Sequence, residues 1–174
     1  AFYQYIDSAG GPYCLVQRDV ASRLLPPVSV ATTRGPLFEE VVQTYSYGNG
    51  LQQRIRVDVA TPDVVQVTHS IGTLQGGRDL VSRLSTEFST NGGDVYTSSS
   101  GFSELRHRPI NTTGPISSNY HALVQSAAIR DSSTSGGGGD GGGGDGGGRQ
   151  LSVLSRRTMG VAGLSDGRIE YMLI

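Results

Sequence analysis

The stretch that decides the fold is residues 51–59, LQQRIRVDV, in which Leu51, Ile55, Val57 and Val59 fall on one side and Gln52, Arg54, Arg56 and Asp58 on the other. That alternation is the period of two of a β-strand with one wet face. Residues 37–45 and 64–71 flank it with similar content, and Gly48-Asn49-Gly50 and Thr61-Pro62-Asp63 supply connections suited to antiparallel hairpins. A central meander is expected.

The same composition recurs outward, at residues 13–17, 28–32, 80–88 and 95–97, each bounded by Gly, Pro, Asn or Asp. Only 80–88 competes as a helix, and the absence of helical periods around it favours a strand. At the far end, Leu151, Val153 and Ser155 alternate with Ser152, Leu154 and Arg156, and a last strand is expected over 168–174. Gly160, Gly163 and Asp166-Gly167 supply the turn chemistry between them, because Gly takes a positive φ without steric cost. Short strands without intervening helices argue for an all-β fold, an antiparallel β-sandwich or barrel.

Composition narrows the function. A chain of 174 residues is long enough to bury about 70% of its unfolded surface. Net charge is -1, and the 14 cations, all Arg, are scattered, so no nucleic acid is expected as a partner. No apolar run reaches the roughly 20 residues of a membrane helix, and no membrane segment is expected in this piece. Cys14 is the single cysteine, which leaves no disulfide within the chain. Residue 1 is Ala and residues 168–174, RIEYMLI, carry no stop signal, so a piece of a longer chain is expected.

The run GGGGDGGGGDGGG at 136–148 has no apolar residue to bury. Residues 132–149 are expected to be a disordered Gly/Ser/Asp-rich insertion splitting a hairpin between Ile129 and Leu151. Asp140 and Asp145 do not make it a calcium repeat, since such repeats need an apolar residue in each turn to build a wall. Of the three histidines, His69 shares a face with Val65, Val67 and Ile71 and is expected at the core or its rim, while His107, between Arg106 and Arg108, is expected in solvent. With His121 they show no metal-ligand spacing. Glu39 and Glu40 are adjacent on a strand and so point to opposite faces. No G-x-S-x-G elbow is present. The chain by itself carries no complete catalytic set. Asn111-Thr112-Thr113 is an acceptor triplet for N-glycosylation, and Asn111 is the candidate acceptor.

The order of the motifs carries a resemblance. Tyr96-Thr97-Ser98-Ser99-Ser100-Gly101 with Arg106-His107-Arg108, then Ser118-Asn119-Tyr120-His121, then residues 151–157, LSVLSRR, then residues 160–172, GVAGLSDGRIEYM, run collinearly, with Gly35-Pro36-Leu37 and Glu39-Glu40-Val41 upstream. In this order the chain resembles the C-terminal β-domain of class II α-mannosidases, glycoside hydrolase family 38, of the lysosomal or Golgi kind. It departs from that pattern at Ser98, His121, Ala122 and Arg156.

The resemblance implies that residues 1–174 are a fragment of a galactose-mutarotase-like β-sandwich forming one wall of the pocket of a retaining, zinc-dependent α-mannosidase. Its substrates would be mannose-containing N-glycans and oligosaccharides. Zinc and its ligands, together with the aspartate nucleophile, would belong to an N-terminal catalytic barrel of the same parent chain, so no catalytic residue and no metal ligand is expected here, and the fragment alone should be inactive. Gly10-Gly11-Pro12-Tyr13 resembles the family's S-G-A-Y segment, which makes Tyr13 the substrate-binding candidate. The implied compartment is the lumen of the secretory route, in lysosome, vacuole or Golgi. The competing reading is a non-catalytic carbohydrate-binding or structural β-sandwich module.

Overall fold

The computed structural model describes residues 1–6, 21–73, 78–98, 104–132 and 148–173. Its elements in chain order are β1 (Phe2–Ile6), β2 (Ser22–Arg23), β3 (Ser29–Arg34), β4 (Phe38–Tyr45), β5 (Leu51–Asp58), β6 (Thr61–Ile71), β7 (Arg78–Ser85), β8 (Val95–Ser98), β9 (Leu105–Arg108), a 3-10 turn (Ile116–Asn119), β10 (His121–Leu123), β11 (Ser126–Arg130), β12 (Gln150–Leu154), β13 (Met159–Ala162) and β14 (Arg168–Met172). The fold is all-β, built of antiparallel sheets. No helix among the described residues is long and apolar enough to cross a membrane. Residues 24–78 form one compact unit, and residues 1–23 with 79–174 form another.

The unit of residues 24–78 is the expected meander, a four-stranded sheet in the order β3-β4-β5-β6. Gly48 and Gly50 turn the β4-β5 hairpin at φ 55 and 123, as Gly-Asn-Gly predicts. The next turn differs from expectation. Thr61-Pro62-Asp63 is not the connection, because β6 already begins at Thr61, which pairs with Asp58 across Val59-Ala60. Pro62 is tolerated there because β6 is an edge strand and Pro62 falls in the register shift after Thr61, where no residue of β5 pairs with it.

The other unit holds a six-stranded sheet, β10-β13-β14-β7-β1-β2, and a four-stranded one, β12-β11-β8-β9. Leu80, Val81 and Ser82 are fully buried, as are Ile169 and Glu170, so the central strands β7 and β14 are covered on both faces. Val95, Thr97, Ala127 and Ile129 contribute the buried residues of the smaller sheet. Residues 80–88 are strand in their first part, as context suggested. The expected split hairpin also stands: Ile129 pairs with Leu151, and residues 133–147 between them lie outside the described residues.

The last stretch needs correction. Gly160 does not serve a turn, because it sits within β13, and β14 pairs with β13 and β7 rather than with β12. Its small size is a packing requirement, since a Cβ there would come within 2.8 Å of the Met172 sulfur. The turn is residues 163–167, and Gly167 adopts φ 65. Asp166 latches this turn to the loop after β7. Its Oδ1 accepts the Thr90 N–H at 2.5 Å, the Gly92 N–H at 3.2 Å and the Thr90 hydroxyl at 3.3 Å. The two backbones approach so closely that a Cβ on Gly93 would fall 2.9 Å from the Gly163 carbonyl oxygen.

Candidate functional site

The densest group of chemistry-bearing side chains gathers on Glu170. Strand β14 places it opposite Arg83 of β7, and burial leaves it 1% exposed. Burying a carboxylate in apolar surroundings is costly unless hydrogen-bond donors replace the lost water. Three hydrogen bonds and an ion pair do so here. The Tyr5 hydroxyl donates to Oε1 at 2.6 Å, and the Tyr120 hydroxyl donates to the same oxygen. Arg83 donates Nε to Oε2 at 2.7 Å, and its Nη2 lies 2.6 Å from the same oxygen in an ion pair. The outer face of the Arg83 guanidinium lies 3.9 Å over the Tyr3 ring, a cation–π contact.

The electrostatics follow from this packing. Burial first, and then the adjoining Glu170 charge, raise both the Tyr5 and the Tyr120 hydroxyl above the ordinary phenol value of 10.0. Both tyrosines therefore remain donors at any physiological pH. Burial opposes the Arg83 charge, but the Glu170 carboxylate outweighs it and raises that group too. Both oxygens of Glu170 are thus engaged by side chains of neighbouring segments. The cluster is an anchor that ties β1, β7, β14 and the lead-in to β10, not an acid–base pair.

A second cluster presents the glycosylation candidate. Asn119, 6% exposed, clamps the backbone of Asn111 at both ends: its Oδ1 accepts the Asn111 N–H at 2.7 Å and its Nδ2 donates to the Asn111 carbonyl at 3.0 Å. The exposed Asn111 side chain turns back on its own loop. Its Oδ1 accepts the Thr113 N–H at 3.1 Å, the Thr113 hydroxyl at 3.0 Å and the Gly114 N–H at 3.0 Å. These bonds occupy the carboxamide oxygen and leave the nitrogen, where a glycan would be joined, outside the network.

The remaining candidates are spread apart. Tyr13 lies outside the described residues, in the connection between β1 and β2. His69 is half-buried with its Nε2 3.0 Å from Gln53 Nε2, at the rim position expected of it. His107 is exposed, stacks on Tyr96 at 5.0 Å and lies 2.9 Å from Asp94 Oδ2. His121 is half-buried, and burial, followed by the Arg108 charge, lowers its pKa. Among the described residues no three His, Cys, Asp or Glu side chains converge as metal ligands. Glu40 faces Arg54 at 3.7 Å, while Glu39, on the other face, is exposed.

The sequence marked Glu170, Tyr120 and Asn119 only as letters of motifs, and Tyr5 not at all. No short-range pattern joins residues 5, 83, 120 and 170. The one available signal was a lone carboxylate inside the otherwise apolar run IEYMLI, which must be paired if the strand is central.

No protein-family model matches the chain. It is 27% identical over 149 residues to an α-mannosidase of Canavalia ensiformis, a match that covers 81% of this chain and 14% of that protein. It is 28% identical over 150 residues to a probable α-mannosidase of Arabidopsis thaliana, covering 80% of this chain and 13% of that one. The chain thus spans about one-seventh of the length of these curated relatives, as a domain of such a protein would.

Proposed function

We propose that the chain is part of the C-terminal β-sandwich of a retaining, zinc-dependent α-mannosidase of glycoside hydrolase family 38, acting on α-mannosidic bonds of N-glycans and related oligosaccharides. The observation that carries this reading is a similarity to an α-mannosidase that runs through 81% of the chain yet occupies only 14% of the relative. Support of a second kind comes from the residues in the matching motifs. Asn119, Asp166 and Glu170 each hold two or more segments together, so these letters answer to the architecture rather than to local composition.

On this reading zinc and the aspartate nucleophile belong to other parts of a longer polypeptide. The described residues carry no ligand set for the metal, and no step is assigned to them through it. Retention of configuration requires a nucleophile that forms a glycosyl–enzyme bond and an acid that protonates the leaving oxygen. The contribution of the present chain is a wall of the pocket, with Tyr13 hydrogen-bonding a sugar hydroxyl.

The test is hydrolysis of an aryl α-mannoside by the parent protein, with and without Tyr13→Phe. Activity is expected, and the variant should lower kcat/KM about 10-fold, equivalent to about 1.4 kcal/mol of transition-state stabilisation. An active parent with unchanged kcat/KM removes Tyr13 from the pocket. A parent without any mannosidase activity overturns the whole reading and favours a non-catalytic carbohydrate-binding module.

A further inference from the structure

Two Asn-Gly pairs lie in turns among the described residues, Asn49-Gly50 before β5 and Asn91-Gly92 after β7. Such a pair has a chemistry of its own, because glycine leaves its main-chain nitrogen unshielded, and that nitrogen can reach the carboxamide carbon of the asparagine before it. Asparagine is accordingly one of the heat-labile residues. Space does not separate the two pairs. All of these residues are exposed, and a Cβ on either Gly50 or Gly92 would meet nothing within 4 Å.

Charge does separate them. The attacking nitrogen must give up its proton, and the carbonyl it attacks gathers negative charge, so a neighbouring anion opposes both steps. At the second pair the Gly92 N–H donates to Asp166 Oδ1 at 3.2 Å, and the Asn91 carboxamide donates to Asp94 Oδ2 at 3.4 Å. Each reacting group there is held by a carboxylate. At the first pair the Gly50 N–H donates to a neutral acceptor, the Tyr47 carbonyl, at 3.1 Å. The Asn49 carboxamide takes part in no hydrogen bond among the described residues, and residues 44–53 include no acidic side chain. Hydrogen bonds to charged groups are the stronger kind, so the fold restrains Asn91 and leaves Asn49 able to react.

We propose that Asn49 is a site of spontaneous deamidation, and that the fold directs this modification to Asn49 over Asn91. The Gly50 nitrogen bonds to the Asn49 Cγ, the Cγ–Nδ2 bond breaks, and ammonia leaves carrying the amide proton. Water then opens the succinimide ring at either carbonyl and gives aspartate or isoaspartate. Either product puts a new negative charge in the turn. Isoaspartate also adds a methylene to the main chain, beside the 2.7 Å hydrogen bond from the Gly72 N–H to the Gly50 carbonyl that ties this turn to the end of β6. The inference does not depend on the mannosidase reading.

The experiment is incubation of the intact 174-residue chain in 18O-labelled water at mildly alkaline pH, followed by mass spectrometry of tryptic peptides, in which residues 35–54 and 84–106 carry the two sites separately. The native protein should convert residue 49 about 10-fold faster than residue 91, equivalent to about 1.4 kcal/mol of barrier. The products should include isoaspartate and carry 18O. In urea the two rates should converge, because both sites are then bare Asn-Gly pairs. Asp166→Asn should speed conversion at residue 91 and leave residue 49 unchanged. Equal native rates, a faster residue 91, or conversion at residue 49 without 18O would each overturn the proposal. If Asp166→Asn fails to fold, the wild-type rates in native buffer and in urea decide.

Discussion

Glu170 shows how much one side chain can hold. Replacing it with Gln keeps the shape but leaves Arg83, whose side chain is only 14% exposed, without a counter-charge, and turns an acceptor toward amide hydrogens. Removing one partner of a buried pair typically costs 3–5 kcal/mol. Glu170→Gln is therefore expected to destabilise by about 3 kcal/mol, read from the urea midpoint at unchanged slope. Tyr5→Phe removes one neutral donor and should cost about 1 kcal/mol. Asp166 gives a prediction in pH. The Thr90 N–H first, and the Gly92 N–H next, hold its carboxyl below the ordinary value of 3.8. A depressed acid stabilises the fold at pH above its unfolded pKa, and that contribution is lost as pH falls through the folded one. Asp166→Asn should lower the Tm near neutrality, and its deficit against the native chain should shrink on acidification below about pH 4. A deficit constant across that window would show that the latch does not depend on ionisation.

Among the elements, the hairpins reveal why some of the fold could be read early. In the meander each strand is next to its sequence neighbour, so alternation and turn residues suffice; only the Pro62 turn misleads, since proline marks an edge strand as readily as a bend. Other strands lack that signature. β11, expected only as the hairpin partner of Leu151, carries the buried Ala127 and Ala128, poor strand formers, and the unexpected β13 carries Gly160 for clearance from Met172. The β11-β12 hairpin closes on a neck: Asp131 donates its N–H to the Arg149 carbonyl at 2.9 Å and accepts the Arg149 guanidinium, while Arg149 lies 5.0 Å from the centre of the Phe88 ring. These contacts are made by residues outside 133–147, and replacing that segment with a short Gly-Ser linker should leave the Tm within a few degrees of the native value, with closure entropy slightly favouring the shorter loop. A loss of folding in calorimetry would show that the excised residues pack.

At the scale of the whole molecule, antiparallel architecture was legible in composition and punctuation, whereas the candidate pocket residue was not locatable by either. Tyr13 came from resemblance to a motif, and residue types alone give no means of telling a pocket tyrosine from a packed one. We propose a secretory setting, which makes its own prediction, because the Asn111 loop is exposed and its amide nitrogen lies outside the hydrogen-bond network. Expressed through a eukaryotic secretory pathway, the protein should carry one glycan that Asn111→Gln abolishes, seen as a mass difference removed by glycosidase treatment. An unmodified secreted product would count against Asn111 as acceptor.

The Glu170 anchor also has a meaning in time. It draws together residues 5, 83, 120 and 170, so during synthesis at roughly 5–20 residues per second the first of these must wait for the last. The meander of residues 24–78 needs only neighbouring hairpins and can be complete long before. Until β14 leaves the ribosome, Tyr5, Arg83 and Tyr120 have no carboxylate to meet. Synthesis of β14 is thus the step that commits the earlier β1 to its place.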